Sequence, residues 1–115
     1  MEFREAGEAD RETVLEMMED YYYSEAAQGK IPRSYMEHTF DSAAAGSPYV
    51  KVYVMEEDGE LAGYSVAEPQ YSSGRGGRIL MVEEFYLKEG KRGKGLSREF
   101  LEWIREEFQD AAVLL

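Results

Sequence analysis

The sequence predicts an α+β fold of layered α/β type, in which helices flank a mixed, mostly antiparallel sheet. Three observations predict it. Apolar residues recur at helical spacing through most of the first 45 positions, a period-two pattern replaces them near residue 49, and a strand, a helix and a strand come last. The length of 115 residues suits a single domain, residues 1–115.

The N-terminal part is predicted as a short strand and two helices. Glu2–Ala6 can form an edge strand, and Asp10 is a predicted N-cap whose carboxylate accepts hydrogen bonds from the first turn of a helix. Apolar residues at helical spacing predict that this helix covers residues 11–23. A break follows at residues 28–32, and a second helix is predicted at residues 33–45.

The C-terminal part is predicted as a hairpin followed by a strand–helix–strand unit. The strands Tyr49–Met55 and Leu61–Ala67 flank Asp58 and Gly59, which are a strong signal for a tight turn. Pro69 should end the ladder or occupy a bulge, because proline has no amide hydrogen. A strand–helix–strand unit normally forms a right-handed parallel crossover, which makes the sheet mixed. Its predicted elements are Arg78–Leu87, Leu96–Phe108 and Ala111–Leu115.

Composition narrows the classes of function. A net charge of −11 repels nucleic acid phosphates, so no nucleic acid partner is expected; it suits either ordinary solubility or a cationic partner. No apolar run approaches the roughly 20 residues that cross a bilayer, so no membrane contact is expected. The absence of cysteine fits a cytoplasmic protein, and with a single histidine, His38, no metal site is expected.

The segment Arg92–Ser97, which reads RGKGLS, leaves a predicted strand and enters a predicted helix. Its glycines allow a tight turn, and the helix start adds unpaired amides and the positive end of the macrodipole. Together with Lys91, this segment predicts a pyrophosphate site. Its spacing fits neither the Walker A loop nor the dinucleotide fingerprint. The alternative is a structural turn that binds no ligand.

With the strand before it, this segment resembles the acetyl-CoA motif of the GNAT superfamily of N-acetyltransferases, Arg/Gln-x-x-Gly-x-Gly/Ala. Arg92, Gly95 and Ser97 occupy its three defined positions, although the family usually has Gly or Ala where Ser97 stands. The resemblance extends to the order of elements along nearly the whole chain. It implies transfer of an acetyl group from acetyl-CoA to a primary amine. The implied cofactor-binding residues are Phe85, Tyr86, Leu87, Arg92, Gly93, Lys94, Gly95, Leu96 and Ser97.

A narrower resemblance lies in Val82–Leu87, which reads VEEFYL and is similar to a strand of diamine and spermidine/spermine acetyltransferases. It implies that Glu83 is the general base and that Glu84 binds substrate or is structural. Adjacent residues of a strand face opposite sides, so one of the two acids should face inward unless a bulge intervenes. The alternative is that both acids lie in water or form ion pairs. Tyr22 is a further candidate for substrate binding, through cation–π contact with an amine.

A complete fold of this family continues beyond the last predicted strand, so the resemblance implies a C-terminally truncated form without the usual general acid. Three explanations stay open: a fragment, a homodimer that completes the fold, or a reduced protein that binds the cofactor without turnover. We expect a homodimer. The alternative to an enzyme is a degenerate, non-catalytic module that binds CoA or another protein.

Overall fold

In the part of the chain that the structure describes, five strands form one sheet in chain order, and three α-helices pack on its two faces. The computed structural model describes residues 1–24 and 30–115. Of the break predicted at residues 28–32, residues 28 and 29 lie outside the described residues. The elements are β1 (Glu2–Glu5), α1 (Arg11–Tyr22), α2 (Arg33–Ala44), β2 (Lys51–Glu57), β3 (Glu60–Ser72), β4 (Gly77–Leu87), α3 (Leu96–Glu107) and β5 (Ala111–Leu114). Among the described residues, no helix is long and apolar enough to span a membrane.

The sheet is mixed, as predicted. Neighbouring strands from β1 to β4 are antiparallel, and β5 runs parallel to β4 after the crossover through α3. Helices α1 and α2 cover one face, and α3 covers the other. The core under α1 and α2 contains Val14, Leu15, Met17, Met18, Met36, Phe40, Val52, Val54, Tyr64, Val66 and Tyr86. The core under α3 contains Tyr53, Met55, Ala62, Ala67, Leu80, Leu87, Leu96, Phe100 and Ile104.

Asp10 precedes α1 as predicted, but its carboxylate makes no cap hydrogen bond to the helix. A 3₁₀ turn at Glu8–Asp10 puts its backbone in the helical region, so the side chain is directed back along the chain. There the carboxylate accepts hydrogen bonds from the Gly7 amide and from Arg4, each at 2.7 Å. Arg4 also binds Glu56 at 2.7 Å. The hydrogen bond from Arg4 holds the pKa of Asp10 below its usual range, and the cluster ties β1 and β2 to the start of α1.

Strand β3 is longer than predicted, and Pro69 lies within it. Pro69 pairs with Leu80 of β4 in a regular part of the ladder. The prediction that Pro69 ends the ladder or occupies a bulge was therefore wrong for the pairing with β4. The pairing of β3 with β2 stops at Ala67. Beyond that point β3 has one neighbouring strand instead of two, so a proline nitrogen on the open side breaks no hydrogen bond.

A β-bulge lies in the middle of β4. Val82 and Glu84 stand opposite adjacent residues of β3, so Glu83 has no counterpart there. One extra residue reverses the alternation of side chains between the two faces of a sheet. Leu80 contacts the α3 core before the bulge, and Leu87 contacts the same core after it. The bulge therefore directs Glu84 to the α1 face. In a regular strand Glu83 would face α1 and Glu84 would face α3.

Gly63 of β3 lies very close to the end of β4, and we expect Gly63→Ala to destabilise the protein. A Cβ there would lie 2.2 Å from the main-chain oxygen of Tyr86 and 2.9 Å from Leu87 Cδ2. The two strands would have to separate, which typically costs about 1–3 kcal/mol. Thermal unfolding should show a melting temperature lower by several degrees. Gly74→Ala is the matched control, because a Cβ at Gly74 meets nothing within 4 Å; equal melting temperatures for both variants would contradict the prediction.

Candidate active site

One edge of β4 has no partner strand along its second half within the described residues. β5 pairs with β4 only from Arg78 to Met81, whereas β3 pairs with β4 as far as Leu87. The main-chain groups that face away from β3 beyond Met81 therefore have no strand to bind. An extended ligand with its own amide groups can add to such an edge.

Backbone alternation shows which residues present these groups. Lys88 donates its amide to Ala62 O, on the β3 side, at 2.8 Å. Because the main-chain groups of successive strand residues face opposite edges, Leu87 and Phe85 direct theirs to the open edge. The Leu87 carbonyl already accepts a hydrogen bond from Arg92 Nε at 2.8 Å. The Leu87 amide and both main-chain groups of Phe85 remain for a ligand.

The turn after β4 places a helix N-terminus beside this edge. Gly93 and Gly95 have φ values of 74° and 78°, in the left-handed region that favours glycine. Gly95 is the N-cap of α3 and accepts a hydrogen bond from the Glu99 amide at 3.2 Å. In this part of the described chain, the amides of residues 96–98 have no main-chain acceptor. They face outward at the positive end of the helix dipole, as an anion site requires.

Several side chains predicted to bind the cofactor face the protein interior. Those less than a tenth exposed are Tyr86, Leu87 and Leu96. The Phe85 ring packs on Phe100 with 5.5 Å between the ring centroids. These four residues can contact a ligand at the open edge mainly through their main-chain atoms. The side chains of Lys94 and Ser97 are exposed and available.

Glu84 is buried on the α1 face, with 8% of its surface exposed. One carboxylate oxygen accepts a hydrogen bond from the Tyr22 hydroxyl, and the other accepts one from the Tyr64 hydroxyl at 2.7 Å. Burial raises the pKa of Glu84; the two phenols oppose this shift, and the charges of Glu83 and Glu68 add to it. Of the two adjacent acids, Glu84 is therefore the one that faces inward.

Glu83 is the bulged residue and is exposed. Among the described residues it makes no hydrogen bond or ion pair. Burial raises the pKa values of Tyr21 and Tyr22, and the negative charges of Glu84 and Glu83 raise both further. The bulge thus brings both acids to the same region, with one buried and one free to meet a ligand.

Three polar residues of this region were not predicted from the sequence: Asp20, Tyr64 and Ser65. The Tyr86 hydroxyl donates to Asp20, and burial together with this hydrogen bond raises the pKa of Tyr86 to about 12. The Arg92 guanidinium lies over the Tyr86 ring, 5.5 Å from its centroid. Ser65 Oγ donates to Glu84 O at 2.8 Å. These contacts depend on the bulged register of β3 and β4, for which the sequence carries no local signal.

The raised pKa of Glu84 makes stability depend on pH. The folded state holds this proton more tightly than the unfolded chain, so wild-type stability falls as pH rises from the ordinary carboxyl pKa of 4.5 through the raised folded-state pKa. Glu84→Gln removes this dependence. We expect the variant to melt at a higher temperature than wild type at pH 8 and at an equal temperature at pH 4. A difference that is the same at both pH values would contradict the assignment.

The bulged strand β4, its open edge and the turn before α3 make up the candidate active site of an α+β fold. The sequence matches the family model described as acetyltransferase (GNAT) family over residues 11–114. The chain therefore belongs to the GNAT acetyltransferase family. No curated protein matches the sequence.

Solved structures share this fold at low sequence identity. Ribosomal-protein-alanine N-acetyltransferase from Brucella melitensis biovar Abortus 2308 superposes with a TM-score of 0.75 at 15% identity, covering 100% of this chain and 80% of that one. AAC(6')-Iy, in complex with the bisubstrate analogue CoA-S-monomethyl-acetylneamine, gives 0.78 at 10% identity, with coverages of 99% and 76%. Glucosamine-6-phosphate N-acetyltransferase from Arabidopsis thaliana gives 0.69 at 16%, with coverages of 99% and 79%.

Proposed function

We propose that the chain is an N-acetyltransferase that transfers the acetyl group of acetyl-CoA to a primary amine of a cationic small molecule. The observation that carries the proposal is the open edge of β4 beside the N-terminus of α3, with two acids at the bulge of the same strand. Family membership supports the reaction class. The acids support a cationic acceptor, which includes the diamine and polyamine class.

The turn and the open edge fit the two parts of acetyl-CoA. The amides of residues 93–97 and the Lys94 ammonium group suit the pyrophosphate, and the exposed Ser97 hydroxyl can add a donor. The main-chain groups of Phe85 and Leu87 suit the amide groups of the pantetheine arm. Arg92 donates to the Leu87 carbonyl at this same edge, so the Leu87 amide is the group of that residue left for the ligand. When bound, acetyl-CoA supplies an activated thioester.

Glu83 is the proposed general base. A primary amine is an ammonium ion at neutral pH and must lose a proton before its nitrogen has a lone pair for attack on a thioester. The exposed Glu83 carboxylate can accept that proton, because no group among the described residues competes for it. Its position in the bulge places it next to the open edge.

Glu84 and Tyr22 are the proposed binding groups for the acceptor. Both oxygens of Glu84 accept hydrogen bonds from phenols, so the carboxylate is held in place and less able than Glu83 to move a proton. A buried carboxylate attracts an ammonium ion more strongly than an exposed one, because solvent screens it less. The half-exposed Tyr22 ring offers a face to the same cation.

The test is isothermal titration of the protein with acetyl-CoA, combined with a free-thiol assay in which spermidine and 1,3-diaminopropane are acceptors. Binding with amine-dependent thiol release supports the proposal. Binding without release to any amine supports the alternative of a non-catalytic CoA-binding or interaction module. A folded protein that fails to bind acetyl-CoA would overturn the proposal and would leave only the protein-interaction form of the alternative. The homodimer, the truncated form and the cytoplasmic location stay predictions.

A further inference from the structure

A cavity of about 220 Å³ lies between α3 and the first two strands, on the face of the sheet away from Glu84. Its lining residues are Glu5, Lys51, Tyr53, Trp103, Glu107 and Phe108. Glu107 ends α3, whereas Leu96 begins it beside the glycine turn. At 1.5 Å per residue these two ends lie roughly 16 Å apart. The cavity is thus separate from both parts of the proposed acetyl-transfer site.

Tyr53 directs a polar group without a partner into this cavity. The residue is only 3% exposed, yet its hydroxyl makes no hydrogen bond among the described residues. Within the described residues, every side-chain polar atom that is fully shielded from solvent has a hydrogen-bond partner. The Tyr53 hydroxyl has none, so it must be accessible from the cavity. Since the hydroxyl has no partner among the described residues, it can donate a hydrogen bond to a molecule in the cavity or accept one from it.

The charges around the hydroxyl leave one carboxylate unpaired. Glu5 lies opposite Tyr53 in the register of β1 and β2, and Lys51 Nζ lies 3.5 Å from its carboxylate. Glu107 has no ion pair in the described chain. Burial raises the pKa of Tyr53, and the charges of Glu5 and Glu107 raise it further, so both carboxylates lie near the phenol. The cavity therefore carries a net charge of about −1, from Glu107.

Aromatic rings complete the lining. The Tyr53 and Trp103 rings meet edge to face, with centroids 5.5 Å apart and an interplanar angle of 80°. Trp103 is one turn before Glu107 on α3, so the indole and the carboxylate share one face of the helix. Phe108 also lines the cavity. Aromatic faces and a lone carboxylate together attract an organic cation, because the ring quadrupole and the charge act in the same direction.

We infer that this cavity binds a small alkylammonium ion, at a site distinct from the acceptor site. The ammonium group donates hydrogen bonds to the Glu107 carboxylate and the Tyr53 oxygen, and the alkyl chain lies against Trp103. Lys51 stays paired with Glu5 and limits the site to a single positive charge. The inference rests on the residues that line this cavity and does not depend on the proposed acetyl transfer.

Trp103 is the only tryptophan of the chain, so its fluorescence reports on the cavity directly. Propylammonium chloride is titrated into the protein, with sodium chloride at matched ionic strength as the blank. We expect a saturable change in emission. Glu107→Gln should weaken the apparent affinity at least tenfold, and Tyr53→Phe should weaken it about fivefold while keeping the ring.

Glu84→Gln is the control for cation binding at the acceptor site, and it should titrate like wild type. Thermal unfolding of each variant verifies that it is folded; Glu107 is exposed, so its replacement leaves the core intact. The inference fails if the emission follows ionic strength alone, if Glu107→Gln and Tyr53→Phe both titrate like wild type, or if Glu84→Gln abolishes the response.

Discussion

We expect Glu83→Gln to lower kcat for an alkylamine acceptor by about a hundredfold or more, which is the usual contribution of a general base. Glutamine keeps the size of the side chain and cannot accept the proton, so the amine stays charged and unreactive. The acetyl-CoA affinity should change little, because the proposed contacts at Phe85 and Leu87 are main-chain groups and the cofactor turn begins nine residues after Glu83. Steady-state thiol release and isothermal titration measure the two quantities.

A pair of acceptors separates a base from a residue that only positions the substrate. Ethylamine is charged at pH 7.5, whereas 2,2,2-trifluoroethylamine is largely neutral and needs no base. The defect of Glu83→Gln should shrink at least tenfold with the fluorinated amine. Glu84→Gln serves as the matched acid control: we expect it to raise KM for the charged amine more than it lowers kcat. Equal defects of Glu83→Gln with both amines would exclude Glu83 as the base.

We expect Gly95→Glu to weaken acetyl-CoA binding by about a hundredfold. The φ value of 78° at Gly95 suits glycine, and any other residue there costs about 1–2 kcal/mol. A carboxylate beside the free amides of α3 also repels a pyrophosphate and competes for the same donors. Isothermal titration with acetyl-CoA gives the ratio of dissociation constants.

Gly76→Glu is the control for this variant. Gly76 has a φ value of 68° and open space around it, so the substitution adds the same strain and the same charge. It lies in the turn between β3 and β4, at the end of β4 opposite to the cofactor turn. We expect both variants to lose similar thermal stability and only Gly95→Glu to lose affinity. If the two bind acetyl-CoA equally, the turn does not hold the pyrophosphate.

The order and type of the elements could be predicted because each depends on a local pattern. Helical spacing, period-two alternation and the Asp58–Gly59 turn all act over a few residues, and the observed helices and strands follow them. The conformation of the RGKGLS segment also depends on a local pattern. Its left-handed glycines and helix start need no information from distant parts of the chain.

The features that could not be predicted depend on how distant segments align. The inward orientation of Glu84 and its bond to Tyr64 require the register of β3 against β4, including the extra residue. Asp10 is a second example. Its carboxylate binds Arg4, six residues earlier in the chain, and makes no cap hydrogen bond to α1. Pro69 was misjudged because the sequence does not show that the pairing of β3 with β2 ends at Ala67, opposite the first residue of β2.

The bulge at Glu83 makes strand length as important to this site as residue identity. An insertion of one residue in β3 between Val66 and Ala67 would supply the missing counterpart and let β4 run straight. Every side chain after that point would then exchange faces, so Glu84 would lie toward α3 and Phe85 toward α1. Such a chain would keep every chemical group discussed above and lose their arrangement. In this fold, an insertion or deletion in β3 can therefore disrupt the candidate site without changing any of its residues.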